Sequence, residues 1–230
     1  MHTIGIIGGI GPESTIEYYR LIISSYLQQD KSGNYPQIVI NSINMKKMLD
    51  LIGENRLNEL ADYLVAEVQK VASAGADFAL LASNTPHIVF HQINQTSPLP
   101  LISIVEVACE KAISKGMQRV GLFGTKFTMQ GGFYDQLFSD HGIAVISPDE
   151  KDQDYIHNKY MGELVKGIIR EDTKKELLKI ANKLKENEGI QGLILGGTEL
   201  PLILKETDAN EILFLDTTRI HVESIMKRLA

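Results

Sequence analysis

Four short stretches of glycine and small polar residues stand where apolar runs end: Gly8-Gly9-Ile10-Gly11, Ser83-Asn84-Thr85, Gly124-Thr125 and Gly196-Gly197-Thr198-Glu199. Backbone amides and hydroxyls at such places favour an anion, a carboxylate or a phosphate, above all where a helix begins. Each stretch alone is an ordinary turn. Together they make Gly9, Ile10, Asn84, Thr85, Thr125 and Thr198 candidate contacts to an acidic ligand. Glu199 is a candidate acid or base, set against the plainer reading of a carboxylate bonding helix-start donors. His87, four residues after Ser83, is a candidate donor to a bound carboxylate or an orienter of Asn84. Its plainer reading is a helix-end histidine in a structural hydrogen bond. Lys166 and the pair Lys46-Lys47 offer positive charge to such a ligand, although a lysine on a helix or loop is by default solvated.

Other chemistries find little support. Gly8-Gly9-Ile10-Gly11-Pro12-Glu13 lacks the G-x-G-x-x-G spacing of a dinucleotide loop, and Pro12 removes a donor amide. His87-x-x-x-His91 has metal-like spacing without the glutamate of H-E-x-x-H, so no metal is expected. Ser83 is not in a G-x-S-x-G elbow, which argues against a hydrolase triad. The one cysteine, Cys109, lies in an apolar helical stretch and reads as a small core residue. With 23 Lys and Arg against 29 Asp and Glu and no basic block, nucleic acid is not an expected partner. No apolar run approaches a membrane span, and the N-terminus reads as a buried strand rather than a signal peptide, so a cytoplasmic protein is expected.

The elements that must position these residues alternate between short apolar runs and longer amphipathic ones. Strands are expected at Thr3–Ile7, Gln37–Ile40, Ala76–Ala82, Pro100–Ile102, Arg119–Phe123, Ala144–Ile146, Gln191–Leu195 and Ile212–Leu215. Helices are expected from Pro12 and over Arg56–Ala72, Ser103–Lys115, Phe127–Phe138, Tyr155–Ile169, Thr173–Lys185 and Thr217–Leu229. Gly131-Gly132 weakens the helix that contains it. This alternation predicts parallel sheets covered by helices, an α/β fold.

The pattern also repeats. Gly5 in Ile4-Gly5-Ile6-Ile7-Gly8 matches Gly121 in Val120-Gly121-Leu122-Phe123-Gly124, 116 residues on, and Ser83 matches Gly197, 114 residues on. A duplication predicts two similar parallel-sheet α/β lobes with the site in the cleft between them. Residues 1–98 plus 211–230 are assigned to the first lobe and 99–210 to the second.

Gly8-Gly9, Ser83-Asn84-Thr85-Pro86-His87, Gly124-Thr125-Lys126-Phe127-Thr128-Met129 and Gly196-Gly197-Thr198-Glu199-Leu200-Pro201-Leu202 resemble the aspartate/glutamate racemase family. The resemblance runs over nearly the whole chain in the same order. It implies a homodimer acting on a small acidic amino acid or dicarboxylate without pyridoxal phosphate or any other cofactor. Family chemistry uses one cysteine on each face of the substrate Cα. By motif those positions are Ser83 and Gly197, and neither carries a thiol. Asn84, Thr85, Thr125 and Thr198 match family positions that hold the substrate's carboxylate and amino groups, and Lys166 matches a lysine that contacts the distal carboxylate. Lys47 or Lys46 is assigned similar work. The resemblance leaves three readings: a racemase-family enzyme on an acidic amino acid, an inactive binding protein on the same fold, or an isomerase or lyase using Glu199 or His87 as base. It also implies that Gly197→Cys restores proton exchange on one face.

Overall fold

The computed structural model describes residues 2–205, 208 and 212–229. The chain divides into two compact units: the segment up to Ile104 with the segment from His221 onward, and Val105–Ile220. In chain order the first contains β1 (Ile4–Gly8), α1 (Pro12–Gln29), β2 (Ile38–Ser42), α2 (Met45–Gly53), α3 (Leu57–Ser73), β3 (Phe78–Leu81), a 3₁₀ turn over Thr85–Val89, α4 (Phe90–Thr96) and β4 (Leu101–Ile102). Then follow α5 (Ile104–Ser114), β5 (Arg119–Gly124), α6 (Lys126–Gln130), α7 (Phe133–Ser139), β6 (Ala144–Ile146) and α8 (Glu150–Gly162). After a 3₁₀ turn over Leu164–Lys166 come α9 (Glu171–Glu188), β7 (Gly192–Gly196), α10 (Leu200–Ile203), β8 (Leu213–Asp216) and α11 (Thr217–Leu229).

Each unit holds a four-stranded sheet, ordered β2-β1-β3-β4 in the first and β6-β5-β7-β8 in the second. Every pairing is parallel. The shared order is what a duplicated sequence would give. The inner strands β1, β3 and β7 are buried at every residue, while β2 and β6 at the edges are partly open. Strands buried on both faces need unbroken apolar runs, which Ile4, Ile6, Ile7, Leu193, Ile194 and Leu195 supply. Gly5 and Gly121, the matched pair of the repeat, sit where neighbouring side chains press on these strands. A Cβ on Gly5 would lie 2.9 Å from Val71, and one on Gly121 2.9 Å from both Ile190 and Leu193.

The boundaries differ from the sequence reading in two places. β4 pairs with β3, so Leu101–Ile102 belongs to the first sheet and not to 99–210. β8 pairs with β7, Gly192 opposite Leu213, so of the stretch 211–230 the strand belongs to the second sheet. The 210/211 boundary itself lies outside the described residues. Only the helix crosses back: Val222, Ile225 and Met226 of α11 pack with Ile4, Ile6, Tyr18, Ile22 and Phe78 in the first core. Helices also differ, α10 (Leu200–Ile203) being one that was not expected. The expected Phe127–Phe138 breaks into α6 and α7 at Gly132, whose φ of 72° ends the first and starts the second. The expected Tyr155–Ile169 starts earlier, where the Asp149 side chain accepts from the Asp152 amide at 3.0 Å, and stops at Gly162. Helix α2 was not anticipated.

Helix α11 is fixed by a buried polar chain. The Tyr18 hydroxyl donates to Nδ1 of His221 at 2.8 Å, and Nε2 of His221 donates to the Ile102 carbonyl at 3.0 Å. Both ring nitrogens are therefore used by the neutral imidazole. Burial holds His221 down to about 4, and burial with the nearby His221 holds His87 down to about 3. Both folded values lie below the unfolded one of about 6.5, so the unfolded chain takes up these protons first as pH falls. The stability they carry is complete above pH 6.5 and is lost between there and about pH 4 for His221. Urea denaturation should show a drop between pH 7 and pH 5, of which about 2 kcal/mol belongs to His221. In His221→Gln that share of the drop should vanish. An equal pH dependence in both proteins would refute the assignment.

Candidate functional site

In the first unit the polar stretches leave the neighbouring ends of β1 and β3. The Gly9 amide donates to Oγ1 of Thr15 at 2.8 Å, so it is committed within the turn. Gly9 has a φ of 79°, and a Cβ there would meet the Ile43 carbonyl oxygen at 2.5 Å. Glycine is required on both counts. Ile10 is buried beside it. The Ser14 hydroxyl donates to the Ala82 carbonyl at 2.7 Å and so ties α1 to the end of β3. Ser83, Asn84 and Thr85 follow, all buried, and lead into the 3₁₀ turn.

His87 is buried in that turn, stacked on Phe90 with ring centroids 4.9 Å apart. Its Nε2 accepts from the Ile104 amide at 3.3 Å. The proton of the neutral ring is then on Nδ1, which is buried with no hydrogen-bond partner. With its acceptor nitrogen occupied and its pKa held down to about 3, His87 is neutral at pH 7. His91 sits on α4 against Gln95, at 2.9 Å, so the two histidines do different things. Among the described residues no group of three or more His, Cys, Asp or Glu is arranged to hold a metal ion. Lys47 lies on α2. Its Nζ lies 4.0 Å from the centroid of the Tyr63 ring, and Lys46 pairs with Asp50 at 2.6 Å.

In the second unit the ends of β5 and β7 are packed backbone to backbone. A Cβ on Gly124 would lie 2.8 Å from the Gly196 carbonyl oxygen, and one on Gly196 2.8 Å from that of Phe123. Thr125 caps α6: its side chain accepts from the Thr128 amide at 3.2 Å. Thr198 and Glu199 are buried, and the Thr198 hydroxyl donates to Glu199 Oε2 at 2.8 Å. The same oxygen accepts a hydrogen bond from the hydroxyl of Tyr160. A buried carboxylate needs such donors, because it has left water. Burial, then the charge of Glu199, raises the Tyr160 phenol well above its usual value, so it stays protonated.

Tyr160 is a member of this buried cluster that the sequence reading did not single out. It comes from α8, whose last turns also bring His157, where Nδ1 accepts from the Lys126 amide at 3.1 Å. In sequence it is one more aromatic on an amphipathic helix. The signal that could have found it is the glycine at 197. A Cβ on Gly197 would lie 2.9 Å from Tyr160 Cζ and 3.0 Å from its hydroxyl oxygen. The tyrosine ring thus fills the space that a side chain at 197 would need. A cysteine at 197 requires the Tyr160 ring to shift.

Lys166 ends the 3₁₀ turn after α8, where Gly167 follows with a φ of 70°. It is exposed. The turn is fixed by Glu163, whose carboxylate accepts from Lys159 and from the Thr173 hydroxyl, both at 2.6 Å. These contacts, Lys159 first, hold Glu163 below the usual carboxylate range. Cys109, the one thiol of the chain, is buried, and burial pushes it up to about 11.

Comparison with known proteins adds to this geometry. The sequence matches the family described as Asp/Glu/hydantoin racemase over residues 7–225. It is similar to a candidate Asp/Glu racemase from Yersinia pestis, at 32% identity, 99% coverage of both chains and a TM-score of 0.89. It is equally similar in sequence to an aspartate racemase homologue from Pyrococcus horikoshii OT3, at 32% identity and 99% coverage of both, with a TM-score of 0.85. A broad specificity amino-acid racemase from Bacillus subtilis is 28% identical over 65% of this chain and 66% of its own length.

The packing at 197 is testable by stability alone. Gly197→Ala should destabilise the protein by about 1–3 kcal/mol through overpacking against the ring. In a Tyr160→Ala background the same change should cost less, with a coupling of at least about 0.5 kcal/mol. Additive costs in the double-mutant cycle would mean that the two residues do not compete for one space.

Proposed function

This chain belongs to the Asp/Glu/hydantoin racemase family, and from that premise we propose that it takes a small acidic amino acid, aspartate or glutamate, without two-thiol chemistry. Asn84, Thr85, Thr125 and Thr198 hold the α-carboxylate and amino groups, and the exposed Lys166 meets the distal carboxylate. The hydroxyl-rich, helix-opening strand ends support an anionic ligand. The observation that carries the reading of the chemistry is position 197, a glycine against the Tyr160 ring where family chemistry needs a thiol.

The other thiol position is no better placed. A serine hydroxyl at 83 is far less acidic than a free thiol at about 8.5, so it is a poor resting base. Cys109, buried and pushed up to about 11, offers no thiolate at neutral pH. Racemisation asks for proton transfer on both faces of Cα, and the chain lacks the pair that does so. A base at His87 is disfavoured by its occupied Nε2. Glu199 remains, though only behind Tyr160. The family resemblance further implies a cytoplasmic homodimer that needs no metal or pyridoxal phosphate. No helix among the described residues is long and apolar enough to cross a membrane.

Titration calorimetry with each enantiomer of aspartate and glutamate tests the reading. Binding of at least one acid is expected, and Lys166→Ala should weaken it about tenfold, the scale of one charge-assisted hydrogen bond. Chiral chromatography should find no conversion of the bound enantiomer. Affinity that is unchanged in Lys166→Ala would remove that lysine from the site, and rapid conversion would remove the argument from the missing thiols.

A further inference from the structure

We propose that Tyr160, backed by Glu199, is a catalytic proton-transfer group beside Gly197, working on a single face of the ligand's Cα. The proposal rests on the acidic amino-acid reading above and deepens it.

Three observations carry it. The first is place. The phenol oxygen lies 3.0 Å from the point where a Cβ of residue 197 would stand. A side chain at 197 would extend into the volume that the phenol now occupies, so the tyrosine supplies the polar atom that glycine cannot. The second is connection. The phenol donates to Glu199 Oε2, and the Thr198 hydroxyl holds that same oxygen at 2.8 Å. Thr198 is itself one of the residues assigned to the ligand, so the chain of groups runs from ligand contact to carboxylate within two adjacent residues. The third is rigidity. Helix α8 is tied to the start of α6 through His157 to the Lys126 amide at 3.1 Å and through Lys126 to Asp154 at 2.6 Å. The phenol is held in place and not left to swing.

The phenol cannot work as a free phenolate, because burial and the Glu199 charge keep it protonated. It works as a relay. The Cα–H bond breaks and its proton bonds to the phenol oxygen, while the phenol's own proton passes to the Glu199 carboxylate. The electron pair left on Cα is delocalised into the ligand's α-carboxylate. In the reverse step Glu199 returns its proton to the phenol oxygen and the phenol gives one to Cα on the same face. In heavy water the relay takes up deuterium, so the ligand gains an α-deuterium with its configuration retained. Exchange without racemisation is the signature, since no thiol serves the other face.

The experiment is proton NMR of aspartate and glutamate enantiomers with the protein in D₂O, alongside calorimetry of the same samples. The expected result is loss of the α-proton signal for one enantiomer of a bound acid, without appearance of the other enantiomer. Tyr160→Phe keeps the ring that fills the space and removes only the hydroxyl. It should lower exchange about 100-fold or more, the usual scale of acid–base assistance, with affinity within about twofold. Glu199→Gln should lower it to a similar degree. A ring that merely fills space would leave exchange in Tyr160→Phe unchanged, and that result overturns the proposal. Binding with no exchange above that of the free acid in buffer also overturns it. Absence of binding by every acid overturns the acidic-ligand reading and the relay with it, whereas binding without exchange removes the relay alone.

Discussion

A parallel strand buried on both faces has only its ends on which to carry polar chemistry. β1, β3 and β7 are closed to water along their whole length. Polar groups therefore gather where the strands stop, and the stopping places must be built from residues that tolerate close backbone approach. Gly8 meets Thr15, Gly124 meets the Gly196 carbonyl, and Gly196 meets that of Phe123, each at a separation no Cβ could share. The glycines are the condition for this close packing at the sheet ends. The hydroxyls of Ser14 and Thr217 complete each end by bonding the carbonyls of Ala82 and Leu195.

Within that frame the second sheet end carries a buried carboxylate, Glu199. A buried carboxylate is costly unless donors surround it, and removing one donor would leave a charge in a low-dielectric site. Glu199 has Tyr160 and Thr198 as such donors. The tyrosine can reach it because nothing protrudes from residue 197. Glycine, ring and carboxylate are one solution: a side chain at 197 would displace the ring, and displacing the ring would strip the carboxylate of a donor.

The fold was largely legible because its signals are local. Short apolar runs, three of them ended by glycine, marked the strands, and the recurrence of Gly5 as Gly121 marked the duplication, since close packing at both leaves little room for a Cβ. Helix α2 went unseen although Met48, Leu51 and Ile52 have helical spacing, because nine residues show too little period to stand out. The placement of β8 was misread because the chain end was treated as one piece. Strand and helix obey different partners: β8 follows the register of β7, while α11 follows the apolar pocket around Tyr18 and Phe78. The site was legible as motifs and illegible as chemistry. Asn84, Thr125, Thr198 and Glu199 announce themselves by their place after strands. Tyr160, 39 positions before Glu199, has no such mark, since its role depends on a contact across the fold.

The two sheet ends, alike in topology, hold opposite electrical characters. The first is built around neutral groups: His87 and His221 are buried, uncharged at neutral pH, and joined to backbone at Ile104 and Ile102. The second is built around the Glu199 carboxylate and its donors. A duplicated frame makes this divergence cheap, because the strand order that sets the backbone is unaffected by which polar group sits at its end. It also decides where proton transfer is chemically available. A neutral histidine with its acceptor nitrogen already bonded has no lone pair to offer. A carboxylate reached through a phenol has both a proton to give and a place to receive one. The proton transfer proposed above therefore falls at the end of β7, where phenol and carboxylate meet.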